Sequence, residues 1–219
     1  MCGIFCLLKK NTSENINEID RDLFYKSKHR GPDASRLLTS TTSNHNNVLT
    51  LGFHRLAIVD DSENGMAPFF LNGMFCIANG EIYNYKYLKA MYLSDYVFQS
   101  DCDTEVILYL FDHFKKDVVK LCEHLSGEFS FIIVDDEKIH IGTDELSTRP
   151  LFFGSNDESL FLSSELTSLP QNLKILQRLP AGFVAKFSRR SGCLSDLFSY
   201  FSFELPKTIY EISSGRLRN

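Results

Sequence analysis

A cysteine stands at residue 2, followed at once by Gly3-Ile4-Phe5. Removal of the initiator Met1 would therefore leave a thiol on the first residue, beside its own free α-amine. Such an amine titrates near ~7.7–8.0, so a useful fraction accepts protons at neutral pH. The thiol supplies a strong nucleophile, and the amine a base that needs no second side chain. Taken alone, the same segment also reads as a small hydrophobe that opens a strand.

Other segments carry residue types that suit the same chemistry. In Asn79-Gly80-Glu81-Ile82-Tyr83-Asn84 a side-chain amide precedes a glycine N–H, and the two donors can converge on one developing oxyanion. Asn-Gly is equally a hairpin-turn pair. In Gly52-Phe53-His54-Arg55-Leu56-Ala57-Ile58-Val59-Asp60 an arginine stands beside an apolar run, where its planar fork matches a carboxylate or a surface ion pair. In Ser100-Asp101-Cys102-Asp103-Thr104-Glu105 carboxylates precede a helical pattern, placed to cap it or to receive a substrate ammonium. His29-Arg30-Gly31-Pro32-Asp33 is a sharp turn by chemistry: a permissive glycine, a fixed φ and a locally bonding aspartate.

These groups need elements to hold them. Cys2 to Leu8 reads as a buried strand, and Ile16, Ile19 and Leu23 fall at helical spacing in a helix ending before Gly31. The polar Ser40 to Asn47 reads as a loop or hairpin tip. Strands are expected over Val48–His54, Leu56–Val59 and Phe75–Ala78, the last closed by a turn at Asn79-Gly80. Helices are expected over Tyr83–Met91, over Thr104–Phe114 behind a cap at Asp103, and around Val118–Leu125. Strands follow at Phe129–Val134, Lys138–Thr143, Leu151–Gly154, Leu160–Ser163 and Phe183–Phe187. Two batches of strands with helices between them argue for an α+β fold with packed antiparallel sheets.

The 219 residues suffice for one sizeable core without staples, and a net charge of −5 provides no basic footprint for nucleic acid or an anionic membrane. No apolar run reaches membrane-spanning length, and Ile4 to Leu8 is too short for a signal-peptide core. A reducing, cytoplasmic location is the expectation. Cys2, Cys6, Cys76, Cys102, Cys122 and Cys193 form no C-x-x-C pair, so neither a zinc site nor a disulfide framework is expected. Only Cys2 has a position that chemistry can use.

Together, Met1-Cys2-Gly3-Ile4, His29–Asp33, Gly52–Asp60, Asn79–Asn84 and Asp103–Leu108 resemble the glutamine-hydrolysing domain of class II glutamine amidotransferases. The resemblance is greatest to the glutaminase domain of glutamine-dependent asparagine synthetases. A weaker match runs from Gly142 to Phe152 and continues at Ser163-Ser164-Glu165. The resemblance implies a four-layer α/β/β/α N-terminal nucleophile hydrolase fold. It implies Cys2 as nucleophile, with Asn79 and Gly80 as oxyanion hole. Arg55 would clamp the substrate α-carboxylate, Glu81 and Asp103 would receive its α-ammonium, and Leu56, Ala57, Ile58 and Val59 would line the site. L-Glutamine would be hydrolysed to glutamate and ammonia, through a thioester.

Two departures qualify the resemblance. Thr143 and Ser147 stand where the family commonly has Arg and Gly, and these 219 residues hold no match to the Ser-Gly-Gly-x-Asp-Ser loop of the family's ATP-using domain, Ser213-Ser214-Gly215 included. Residues 1–190 are thus expected to form the amidotransferase domain, and 191–219 a tail that starts a linker to the absent synthetase domain. The expected partners are L-glutamine and an ATP-dependent synthetase chain. No cofactor is expected on this chain, ATP and magnesium belonging to the partner. A glutamine-binding or regulatory module of the same fold with little or no turnover is the competing reading. A peptidase of the same broad fold fits poorly, because Arg55 and Asp103 describe an amino-acid-sized substrate.

Overall fold

A computed structural model describes residues 1–10, 12, 16–42 and 47–202. The first sheet has the order β10-β8-β9-β1-β3-β2, built from β1 (Gly3–Lys9), β2 (Ala34–Thr42), β3 (Asn47–Arg55), β8 (Phe152–Ser155), β9 (Ser159–Ser163) and β10 (Ile175–Arg178). The second has the order β12-β11-β7-β6-β5-β4. Its strands are β4 (Phe69–Leu71), β5 (Met74–Ile82), β6 (Gly127–Val134), β7 (Lys138–Thr143), β11 (Phe183–Ser188) and β12 (Leu194–Ser199). Every pairing is antiparallel.

The helices cover the outer faces. Helix α1 (Glu18–Tyr25) lies on the first sheet, where Phe24 stacks on His54 with ring centroids 3.9 Å apart. An Asn17/Asp20 capping box starts it. Helices α2 (Tyr85–Tyr92), α3 (Val106–His113) and α4 (Val118–His124) lie on the second, and Phe111 of α3 meets His140 of β7 edge-on at 4.8 Å. The layers therefore run α/β/β/α, as the resemblance implied.

Strand alternation explains why β1 is buried throughout. Ile4, Cys6 and Leu8 enter the core between the sheets, while Phe5 and Leu7 pack under α1. Phe153 and Phe187 meet across that core at 5.3 Å. Cys2 is in phase with Ile4 and Cys6, so the strand aims it along the gap between the sheets.

Several expectations change. Asn79 and Gly80 are not a turn: they sit inside β5, opposite Ser130 and Phe129 of β6. Gly80 has φ +145°, and a Cβ there would lie 1.9 Å from the Glu128 carbonyl oxygen, so the glycine serves strand approach. Gly80→Ala is expected to destabilise the fold by about 3 kcal/mol or more, read from chemical denaturation. Leu56–Val59 is an irregular loop after β3, not a strand. Asp103 opens a 3-10 turn (Asp103–Glu105) ahead of α3, with no side-chain cap bond. Strands β2, β4, β10 and β12 were not foreseen. Because β12 pairs with β11, residues 194–199 belong to the second sheet and not to a tail. The rest of the expected tail, 203–219, and most of the polar tip, 43–46, lie outside the described residues.

Candidate functional site

The two sheets open at one end into a cleft lined by Cys2, Arg55, Leu56, Ala57, Ile58, Val59, Asn79, Gly80, Glu81 and Asp103. All ten residues singled out in the sequence thus meet in one place. Met1, Cys102 and Arg149 line it too.

The thiol is held by the loop that follows β3. Cys2 Sγ accepts the Leu56 N–H at 3.4 Å and lies 3.6 Å from the Leu56 carbonyl. Burial pushes the thiol above its ordinary pKa. The Leu56 N–H, the terminal ammonium and Arg55 counter that push, and Asp103 adds to it. Such a thiol rests protonated, and attack requires a base that takes the proton as the bond forms.

Much of the His29–Asp33 turn exists to place this thiol. Arg30 Nε donates to the Cys2 carbonyl at 3.2 Å, and its Nη1 pairs with Glu165 Oε1 at 2.8 Å. A Cβ on Gly31 would lie 2.2 Å from the His54 carbonyl oxygen, so only glycine lets the turn close on β3. Asp33 then accepts the Ala57 N–H at 2.8 Å and fixes the Leu56–Val59 loop. On the other side of β1, Ser164 Oγ accepts the Ile4 N–H at 3.1 Å. Arg30, Asp33, Ser164 and Glu165 were quoted as motif residues, but their supporting roles emerge only in three dimensions.

Arg55 ends β3 with a buried guanidinium. Its Nη1 donates to the Ser62 carbonyl at 2.5 Å and its Nη2 to the Asp60 carbonyl. Asp60 in turn accepts the Ser62 N–H at 2.7 Å and the Asp101 N–H at 3.0 Å, closing that turn around the guanidinium. The fork is thereby pre-oriented by backbone carbonyls, and the Asp60 carboxylate lies near enough to feel its charge.

Opposite stands an acidic wall. Asp103 is buried and accepts the Ile82 N–H at 2.6 Å, which ties its turn to β5. Burial raises its carboxyl above the usual range against that bond, with Glu81 raising it further. Cys102 sits beside it, its thiol pushed up to about 11 by burial. Asn79 is fully buried on β5, and neither Nδ2 nor Oδ1 has a partner among the described residues. A buried amide without partners is costly to keep.

Met1 lies over this arrangement, its Sδ contacted by Arg149 Nη1 and, at 3.7 Å, by Arg30 Nη2. Arg149 also pairs with Glu128 at 2.9 Å. Its loop is gathered by Asp144, which accepts from Phe129, Leu146 and Thr148 at 3.0–3.1 Å. Ser147, where the family commonly has glycine, has φ +51° and receives Arg178 at its carbonyl at 2.9 Å. Among the described residues, no group of His, Cys, Asp and Glu could hold a metal ion, and no helix is long and apolar enough to cross a membrane.

The profile of a family described as a glutamine amidotransferase domain matches residues 1–210. The chain is 34% identical over 189 residues to a probable glutamine-hydrolysing asparagine synthetase of Acanthamoeba polyphaga mimivirus, covering 82% of this chain and 32% of that protein. It is 32% identical over 187 residues to the glutamine-hydrolysing asparagine synthetase B of Escherichia coli, covering 83% and 32%. It thus spans about a third of the length of these relatives. Among solved structures, the glutamine phosphoribosylpyrophosphate amidotransferase of B. subtilis superposes with a TM-score of 0.72 at 16% identity, over 91% of this chain and 49% of that one, a likeness of fold.

Proposed function

Because this chain belongs to the glutamine amidotransferase domain family, we propose that it hydrolyses L-glutamine to L-glutamate and ammonia through a thioester on Cys2. The observation that carries the reading is the convergence, in one cleft, of an N-terminal thiol, an unpartnered buried amide, a carbonyl-held guanidinium and two carboxylates.

Removal of Met1 frees the Cys2 amine and clears the sulfur that Arg30 and Arg149 contact. The guanidinium of Arg55 takes the substrate α-carboxylate, and Asp103 with Glu81 takes its α-ammonium. The loop Leu56, Ala57, Ile58 and Val59 supplies the floor and backbone contacts. Cys2 Sγ then attacks the side-chain amide carbon, and its proton passes to the α-amine. The oxyanion is received by the Asn79 amide and the Gly80 N–H. Collapse expels ammonia, which leaves with the proton from the amine, and a thioester remains. Water, deprotonated by the same amine, cleaves the thioester to glutamate and the free thiol. Uncharged ammonia is the useful nucleophile and would be lost to protonation in bulk water.

The identity with asparagine synthetases supports delivery of that ammonia to an ATP-dependent, carboxylate-activating synthetase domain or subunit in the cytoplasm. ATP and magnesium belong to that half, while this half uses only its own groups and water. The amidotransferase domain in this reading extends through β12, and the chain beyond leads towards the synthetase.

An irreversible glutamine-mimicking chloroketone tests the reading. It should modify the mature protein once, at the N-terminal cysteine, with excess glutamine protecting. Peptide mass spectrometry that finds Met1 retained on active protein, or the label on Cys102, overturns it. Calorimetric binding of glutamine without glutamate release would instead favour the non-catalytic module.

A further inference from the structure

Asn79 and Ser130 are direct cross-strand partners on β5 and β6. Both are fully buried, and the Asn79 amide and the Ser130 hydroxyl are both unpartnered among the described residues. Their shared face is the one between the sheets. Ser130 pairs with Thr143, Ile132 with Ile141 and Val134 with Ile139, and Ile139 pairs with Phe187, which reaches the first sheet. Directly opposed side chains on one sheet face have Cβ atoms about 4.5–5.5 Å apart, within reach of a hydrogen bond between a serine and an asparagine.

Other polar groups along this row are already used. Thr143 Oγ1, on the far side of Ser130, donates to the Pro180 carbonyl at 3.0 Å. The other side chains of the row, Ile77, Ile132 and Ile141, are apolar and buried. The two orphans are thus cross-strand neighbours with no hydrogen bond between them in the structure and none to any other described residue.

An isolated Asn side chain can present either end to the cleft, and only the Nδ2 end donates to an oxyanion. We propose that Ser130 is a positioning residue. A side-chain rotation brings its hydroxyl, unbonded in the structure, to Asn79 Oδ1, and that bond turns the Nδ2 donor towards the carbon that Cys2 attacks. A serine in a strand core of Phe, Ile and Val has no apolar use, and it faces the one amide whose orientation decides the chemistry. This inference rests on the glutaminase reading.

A double-mutant cycle tests it. Ser130→Ala should lower kcat about 3- to 10-fold, the factor one neutral hydrogen bond supplies, with KM unchanged. Ser130→Thr, which keeps the hydroxyl, should recover most of that loss. In an Asn79→Ala background, Ser130→Ala should have no further effect, since it acts only through the amide. An equal loss in both backgrounds, or a KM effect alone, overturns the proposal while leaving the glutaminase reading intact. Absence of glutamate release from the wild-type protein overturns the glutaminase reading instead. In that event, nuclear magnetic resonance of the Asn79 side-chain amide still decides. Its two proton resonances should shift on Ser130→Ala, and an unchanged pair overturns the positioning role.

Discussion

Cys2→Ala should reduce glutamate release by about 10⁴-fold or more, while glutamine still binds. The reason is that the variant keeps every group assigned to recognition. Arg55 remains anchored on the Ser62 and Asp60 carbonyls, and Asp103 remains tied to the Ile82 N–H. Only the sulfur is gone, and no neighbour can substitute for it. Cys102 lines the same cleft, but its thiol is pushed up to about 11 and it has no α-amine of its own. The substitution falls just outside β1, whose burial continues from Gly3 onward, so the fold should be unaffected. Calorimetry on the Ala variant should return a glutamine affinity within about threefold of wild type, since binding and chemistry use different groups. Turnover near the wild-type rate would end the covalent scheme.

The cleft was legible because its chemistry lies in short contiguous segments. Residues 55–59, 79–81 and 103 each bring a donor, fork or carboxylate within one short segment, so spacing was enough to single them out. The support was harder to read. Arg30 reaches Cys2 and Glu165 across 28 and 135 residues, a relationship that no local pattern records. Asn79-Gly80 was read partly as a turn because that pair suits one, yet close approach of the Glu128 carbonyl is what demands Gly80. Tertiary pairing overrides dipeptide preference there.

The unforeseen strands share another cause. All four are edge strands, and in β10 and much of β12 the side chains are exposed. Their sequences therefore carry little apolar alternation. Likewise β2 is built largely of polar Ser, Thr and Arg around Leu37 and Leu38, and its pairing with β3, not its own pattern, makes it a strand. The buried inner strands announced themselves in the sequence by continuous hydrophobicity.

Asn79→Ala should separate activity from stability. An oxyanion exists only after attack, so a donor aimed at it lowers the barrier without tightening the Michaelis complex. Losing one such donor costs about 10²–10³-fold in kcat, and KM should stay within a factor of about two. The folded protein should register the change only slightly, because neither amide atom has a partner in the structure among the described residues and the amide stands to lose at most the one bond assigned to Ser130. A Tm shift of no more than about 3 °C is expected. Asn79→Asp keeps the shape but replaces a donor with an acceptor-only anion beside the reacting carbon. It should lose at least as much activity as Ala, and burial of an unpaired carboxylate at a fully buried position should lower Tm as well. The reverse pattern, with wild-type kcat and a large Tm loss in Asn79→Ala, would mean that the amide braces β5 against β6. The Gly80 N–H would then be the remaining oxyanion donor assigned in the cleft.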